Sequence, residues 1–285
     1  MARGKTDTAR LWVCVRDDRP FGGSDPPVGL FHYSRDRRGE HPQAHLAGWS
    51  GILLADAYGG YGELYKDDRM PAPVREAGCY AHARRKFFEL ADIAAAASRK
   101  SRGGQAATVY PIALEAVRRL DTLFEVERTI SGKSAAERLA VRRELSAPLV
   151  AGLHAWLNGQ VARLSRHHDL AKAINYMLRR WDAFTRFLED GRVCPSNNAA
   201  ERAPRCVPLG RKAWLFCGSD RGGERAAILY TLIQTARLNN VDPQAWLADV
   251  LARINNQPAR RFNELLPWHC ASKAPARATE EVGCV

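Results

Sequence analysis

Residues Ser196 to Glu224 read SNNAAERAPRCVPLGRKAWLFCGSDRGGE, setting helix caps, a carboxylate, several cations and two bulky aromatics close together. Ser196, Asn197 and Asn198 carry short side chains that accept from the free N–H groups of a helix's first turn, so a small-residue helix is predicted to follow. Glu201 then lies about one turn inside it. A carboxylate there favours the positive end of the helix dipole and can pair with Arg205 at i+4. Pro204 conflicts with a continuing helix, since its ring removes a donor and clashes with the preceding turn; it is tolerable only near a first turn.

A second stretch far upstream, Gly51 to Tyr61 (GILLADAYGGY), gives that carboxylate a partner. Ile52 to Ala55 form a short unbroken apolar run, which suits a strand covered on both faces, and Gly59 and Gly60 end it. Asp56 is therefore placed where a strand meets a turn. One carboxylate at a strand's end and another on a later helix can build a site for a divalent cation from distant parts of the chain. Mg²⁺ takes a few carboxylate oxygens and fills its shell with water or phosphate oxygens.

Upstream of that strand, RLWVCVR (Arg10 to Arg16) and GLFHY (Gly29 to Tyr33) flank a turn rich in Asp, Gly and Pro and read as an antiparallel hairpin. Asp17 and Asp18 beside the turn read as turn chemistry. His41 to Trp49 is a short helix candidate. Downstream, GCYAHA (Gly78 to Ala83) is expected to be a strand running into Arg84, Arg85, Lys86, Phe87 and Phe88. Those cations suit phosphates, while Phe87, Leu90 and Ile93 suit the core face of an amphipathic helix. Cys79 and His82 have C-x-x-H spacing, but a structural zinc site needs four ligands and no second pair accompanies them.

From about Ser98 to Arg192 the pattern turns to helical periodicity. Leu114, Val117, Leu120, Leu123 and Phe124 share a stripe, as do Leu149, Leu153, Trp156 and Leu157, and then Ile174, Leu178, Trp181 and Phe184. About four helices are expected, with His167 and His168 solvated or at a helix start. Arg211, Lys212 and Arg221 surround a glycine-rich turn that lacks Walker spacing and reads as a DNA-backbone contact. A helix from Glu224 to Asn239 is predicted to turn Ala226, Leu229, Ile233 and Ala236 inward, and Asp242 to cap another through Trp246, Leu247 and Leu251. The tail from about Ala271 loses its pattern and is expected to be disordered.

The 285 residues carry 43 Lys and Arg against 31 Asp and Glu, a net charge of +12, with a pI near 9.7. This attracts polyanions and puts nucleic acid first among partners. No run approaches the roughly 18 apolar residues of a membrane span, and charges near the N-terminus do not suit a signal peptide. Seven scattered cysteines without a C-x-x-C pair fit a reducing cytoplasm.

In order, GILLADAYGGY, REAGCYAHARRKFFEL, SNNAAERA and GRKAWLFCGSDRGGERAAILYTLIQTARLN resemble the transposases of the insertion-sequence-66 family, from about Arg10 to about His269. That family is similar to the DDE transposases. The resemblance implies an α/β fold with an RNase H-like mixed-sheet core, interrupted by an all-helical insertion and followed by a helical C-terminal segment. It divides the chain into a first core part (1–97), the insertion (98–192), a second core part with the catalytic Glu (193–240), a helical segment (241–270) and the tail (271–285). It implies two Mg²⁺ ions, with Mn²⁺ as a substitute, roughly 4 Å apart. Asp56 matches the second of three acids and Glu201 the third. The first acid lies in an Asp-Asp-Thr motif on an opening strand that has no counterpart here, so either the start lies inside a longer reading frame or the protein is a truncated copy.

The expected DNA contacts are His82, Arg84, Arg85, Lys86, Arg202, Arg205, Arg211, Lys212 and Arg221. The expected activity is metal-dependent cleavage and strand transfer at transposon ends, in the nucleoid, with transposon-end and target DNA, further copies of the chain and helper proteins of the same element as partners. The alternative is an inactive DNA-binding remnant that interferes with or regulates a full-length transposase. A cellular RNase H-like nuclease fits the GRKAWLF block less well.

Overall fold

The computed structural model describes residues 7–91, 110–210 and 216–271. In chain order the strands and helices are β1 Arg10–Arg16, β2 Val28–Ser34, α1 Glu40–His45, β3 Ile52–Ala55, β4 Arg75–Gly78, α2 Tyr80–Ala91, α3 Pro111–Thr129, α4 Ala135–Val141 and α5 Ala147–Val161. There follow α6 Asp169–Leu178, α7 Trp181–Thr185, α8 Asn198–Arg202, α9 Cys206–Gly210, α10 Asp220–Leu238, α11 Pro243–Arg253 and α12 Pro267–Ala271. The fold is mixed α/β and mostly helical, with two two-stranded sheets among the described residues. It divides into two compact units: Met1–Asp17, Asp25–Asp36 and Ala203–Val285 form one, and Asp18–Ser24 with Arg37–Arg202 form the other.

In the first unit β1 and β2 make the expected hairpin, antiparallel with Val13 opposite Phe31. Helix α10 lies along β2 and closes its outer edge. The Phe31 N–H donates to the Thr231 hydroxyl at 2.9 Å and the Gly29 N–H to the Thr235 hydroxyl at 3.3 Å. Two threonines one turn apart thus satisfy donors that a further strand would otherwise take. Gly223 makes the approach possible, since a Cβ there would stand 2.2 Å from the Tyr33 ring. The inward face of α10 is therefore Gly223, Ala227 and Thr235, with Ala226 only partly covered and Leu229 52% exposed. Of the four residues expected inward, Leu229 is the one that is wrong, because small residues and hydroxyls meet a backbone edge more closely than leucines can. Ile233 is partly covered like Ala226, and Ala236 is fully buried. Asp242 caps α11 as expected, accepting from the Gln244 N–H at 2.8 Å, and the buried Trp246 donates its indole N–H to the Leu265 carbonyl.

In the second unit β3 and β4 pair in parallel, Ala55 opposite Gly78. The predicted strand Gly78–Ala83 is corrected: the strand is Arg75–Gly78, and helix α2 has begun by Tyr80. Tyr80 decides the switch. It is buried edge-on against Phe184 and Phe187, its hydroxyl donates to the Phe184 carbonyl and its N–H to the Pro195 carbonyl. The helical stretch appears as expected, with α4 and α5 joined by a π-helical turn, Arg142–Ser146. Ser134 and Glu137 form a capping box, and the His168 ring accepts from the Leu170 N–H to start α6. Val117, Leu120, Leu123, Leu153, Leu157, Ile174, Met177 and Phe184 bury their side chains in one core with Tyr80, Ala83 and Phe87 of α2. Ile93, the 98–105 segment and the tail beyond 271 lie outside the described residues.

At the floor of these helices Glu127 accepts from Arg142 at 2.6 and 2.7 Å and from Arg138 at 3.2 Å. Arg142 is fully buried and donates its remaining nitrogen to the carbonyls of Phe187, Asp190 and Gly191. This clamp fixes the turn that leads to Pro195 and α8.

Candidate active site

Because Ala55 faces Gly78 in a parallel pair, the next residues, Asp56 and Cys79, leave the sheet together at its C-terminal edge. That edge is where open α/β sheets characteristically bind ligands. Asp56 is exposed, and none of the described cations forms an ion pair with its carboxylate. Ala57 follows with φ of 63°, left-handed backbone that an alanine adopts only under strain. The chain thus turns sharply after Asp56, whose carbonyl accepts from the Tyr176 hydroxyl at 3.2 Å.

Glu201 reaches the same edge from α8. Its N–H donates to the Asn197 carbonyl, which makes Asn197 the residue that starts the helix, as its sequence predicts. The Asn197 side chain accepts from the Cys79 thiol at 3.1 Å, while Pro195 accepts from the Tyr80 N–H at 2.8 Å. These two bonds stitch the start of α8 to the β4–α2 junction. The Glu201 carboxylate then meets His82 Nε2 at 2.8 Å, so its partner is an imidazole one turn into α2. The His82 Nδ1 atom is buried with no hydrogen-bond partner among the described residues. The ring's Nε2–H donates to the Glu201 carboxylate in this geometry.

One turn beyond His82, the Lys86 ammonium sits 4.6 Å above the Tyr176 ring. Burial first, then the nearby Cys79 and Asp56, pushes the Tyr176 phenol up to about 12. Burial also raises the Cys79 thiol. A protonated thiol already bonded to Asn197 is a poor zinc ligand, so the C-x-x-H spacing here serves helix docking.

The other expected contacts divide by their surroundings. Arg84 grips Asp121 through two nitrogens at 2.5 and 3.0 Å and lies over Phe88. Arg85, Lys86 and Arg202 are exposed in the same unit as Asp56 and Glu201. Arg205 and Arg221 are exposed in the other unit, and Arg211 and Lys212 fall outside the described residues. Helix α8 ends at Arg202, and Ala203–Arg205 form a 3₁₀ turn, so Pro204 stops the α-helical ladder just after Glu201. Tyr176 escaped the sequence reading because its neighbours Ile174 and Leu178 carry the helical stripe. Asn197 read only as a cap.

Comparison with protein families completes the picture: residues 1–225 match the model described as Transposase IS66 family, and residues 231–268 match the IS66 C-terminal element. The chain belongs to the IS66 transposase family. Among curated proteins of Sinorhizobium fredii it is similar to Uncharacterized protein y4hP, at 56% identity over 94% of this chain and 48% of the relative. It is also similar to y4qI, 39% identical over 93% of this chain and 48% of the relative, and to y4jD, 36% identical over 94% and 50%. The chain spans about half the length of these relatives. No solved structure matches it. Among the described residues no helix is long and apolar enough to cross a membrane.

Proposed function

We propose that this chain contributes the acidic site of a DDE-type DNA transposase, cutting and joining strands at transposon ends on an RNase H-like core. The observation that carries the reading is the stitching of the Glu201 helix onto the sheet edge that presents Asp56, through Cys79–Asn197, Tyr80–Pro195 and His82–Glu201.

The chemistry of these donors suits Mg²⁺ or Mn²⁺: Asp56 offers an exposed carboxylate that forms no ion pair among the described residues, and Glu201 meets His82 through one of its two oxygens. When bound, such ions supply charge stabilisation to phosphoryl oxygens. The chain's own residues do the rest. His82 holds the Glu201 carboxylate in one orientation, Tyr176 pins the backbone that carries Asp56, and Arg85, Lys86 and Arg202 attract the DNA backbone. Oligomers on transposon-end and target DNA, with helper proteins of the same element, complete the proposed assembly.

Mg²⁺-dependent nicking of transposon-end DNA by the wild type and by Glu201→Gln tests the assignment. The variant should lose nicking, and equal nicking by both excludes the role given to Glu201. The two-carboxylate set favours a second reading, DNA binding without cleavage. It predicts affinity that falls steeply with salt and no turnover by either protein.

A further inference from the structure

Beside β4 and α7 lies a cavity of about 440 Å³, within the roughly 300–1,000 Å³ typical of small-ligand sites. It opens at the N-terminal end of β4, with Arg75, Glu76, Tyr65, Arg179, Arg180 and Trp181 in its wall. Three of these features are unusual together. Glu76 is only 18% exposed and meets Arg180 at a long 3.4 Å, so its carboxylate retains acceptor capacity. The Tyr65 hydroxyl is buried with no hydrogen-bond partner among the described residues. Arg75 and Arg179 stand exposed at the rim, and the Trp181 ring is held by stacking on His154 at 4.4 Å.

A ligand matching this wall carries a negative charge for the rim arginines, N–H donors for Glu76 and a flat ring beside Trp181. A nucleotide has all three. Guanine is the base whose Watson–Crick edge sets two N–H donors side by side, as a carboxylate accepts them. Tyr65, in the cavity wall, lies within electrostatic reach of both Glu76 and Asp56, so the cavity is near the acidic edge.

We infer that this cavity receives one unpaired nucleotide of a DNA strand, with a preference for guanine read by Glu76. The inference rests on the DNA-binding reading above. Extruding a base costs stacking energy, least where the base is already unpaired, which is why an unpaired substrate is the right probe.

Fluorescence anisotropy would compare three labelled duplexes of one sequence: fully paired, with a single unpaired G, and with a single unpaired T. The wild type should bind the unpaired-G duplex about tenfold more tightly than the paired one, as expected of a good bidentate contact. Glu76→Gln should erase that preference while leaving paired-duplex affinity unchanged. Arg179→Ala, at the exposed rim, should weaken the unpaired-G duplex selectively without disturbing the fold. Equal binding of all three duplexes by the wild type, or a preference that survives Glu76→Gln, overturns the inference while leaving DNA binding intact. Failure to bind any duplex overturns both. Equal competition by free dGMP and by the unpaired-G duplex assigns the cavity to a free nucleotide and overturns the DNA-strand source.

Discussion

Removing the charge of Glu127 while keeping its shape tests how the helices hold the turn that leads to Pro195 and α8. In Glu127→Gln, the Arg142 and Arg138 guanidinium groups, 0% and 3% exposed, lose the carboxylate that accepts three of their hydrogen bonds. Gln offers one carbonyl and sets an NH₂ against donors. The wild-type cluster already buries two positive charges against one negative, so the variant leaves two cations uncompensated. Breaking a buried pair by removing one partner costs about 3–5 kcal/mol, which for a domain of this size lowers Tm by about 6–20 °C.

Urea denaturation followed by circular dichroism measures this loss, with Glu125→Gln as control. Glu125 lies on the same helix, is 63% exposed and reaches Arg128 only at 3.8 Å, so its loss should cost no more than about 1 kcal/mol. A difference between the two variants below about 1 kcal/mol would refute the argument that buried charge compensation holds this core. Replacing Glu127, Arg138 and Arg142 together by apolar residues should recover only part of the loss. The carbonyls of Phe187, Asp190 and Gly191 would then lack their donor, and unsatisfied buried acceptors are themselves costly.

Three other outcomes follow from single contacts. Gly78→Ala would set a Cβ 2.9 Å from the Phe184 ring, and overpacking of this kind should cost about 1–3 kcal/mol in thermal or urea unfolding. Thr231→Val keeps the shape at α10 but leaves the Phe31 N–H without its acceptor; a loss of about 1–3 kcal/mol is expected by the same measurement. The Tyr33 hydroxyl, and then Arg35, hold the Asp220 carboxyl below the ordinary Asp range. That contribution is present above the unfolded value of about 3.9 and is lost as pH falls through the depressed folded value. Asp220→Asn should therefore flatten the dependence of stability on pH at and below about pH 4, and an unchanged slope in pH-resolved denaturation would exclude the contact.

The hairpin, the Ile52–Ala55 strand, the capped start of α8, the helical stripes from Leu114 to Phe184 and the Asp242 cap were legible in the chain alone. Each is written in local periodicity or in the hydrogen-bonding reach of a short side chain. So was the candidate pair Asp56 and Glu201, since a carboxylate after an apolar strand and another after an Asn-rich cap are local patterns, and the ordered motifs named the family. What lay beyond local pattern went differently. GCYAHA has no sequence mark that stops its strand at Gly78; Tyr80 imposes the helix because Phe184 and Phe187, a hundred positions on, close around it. The inward face of α10 follows the backbone edge it covers rather than its most hydrophobic stripe. His82 meets Glu201 only because a thiol and an N–H at the β4–α2 junction bind Asn197 and Pro195. Which acid gains which neighbour is settled by hydrogen bonds between segments far apart in sequence, and only the folded chain brings those segments within reach.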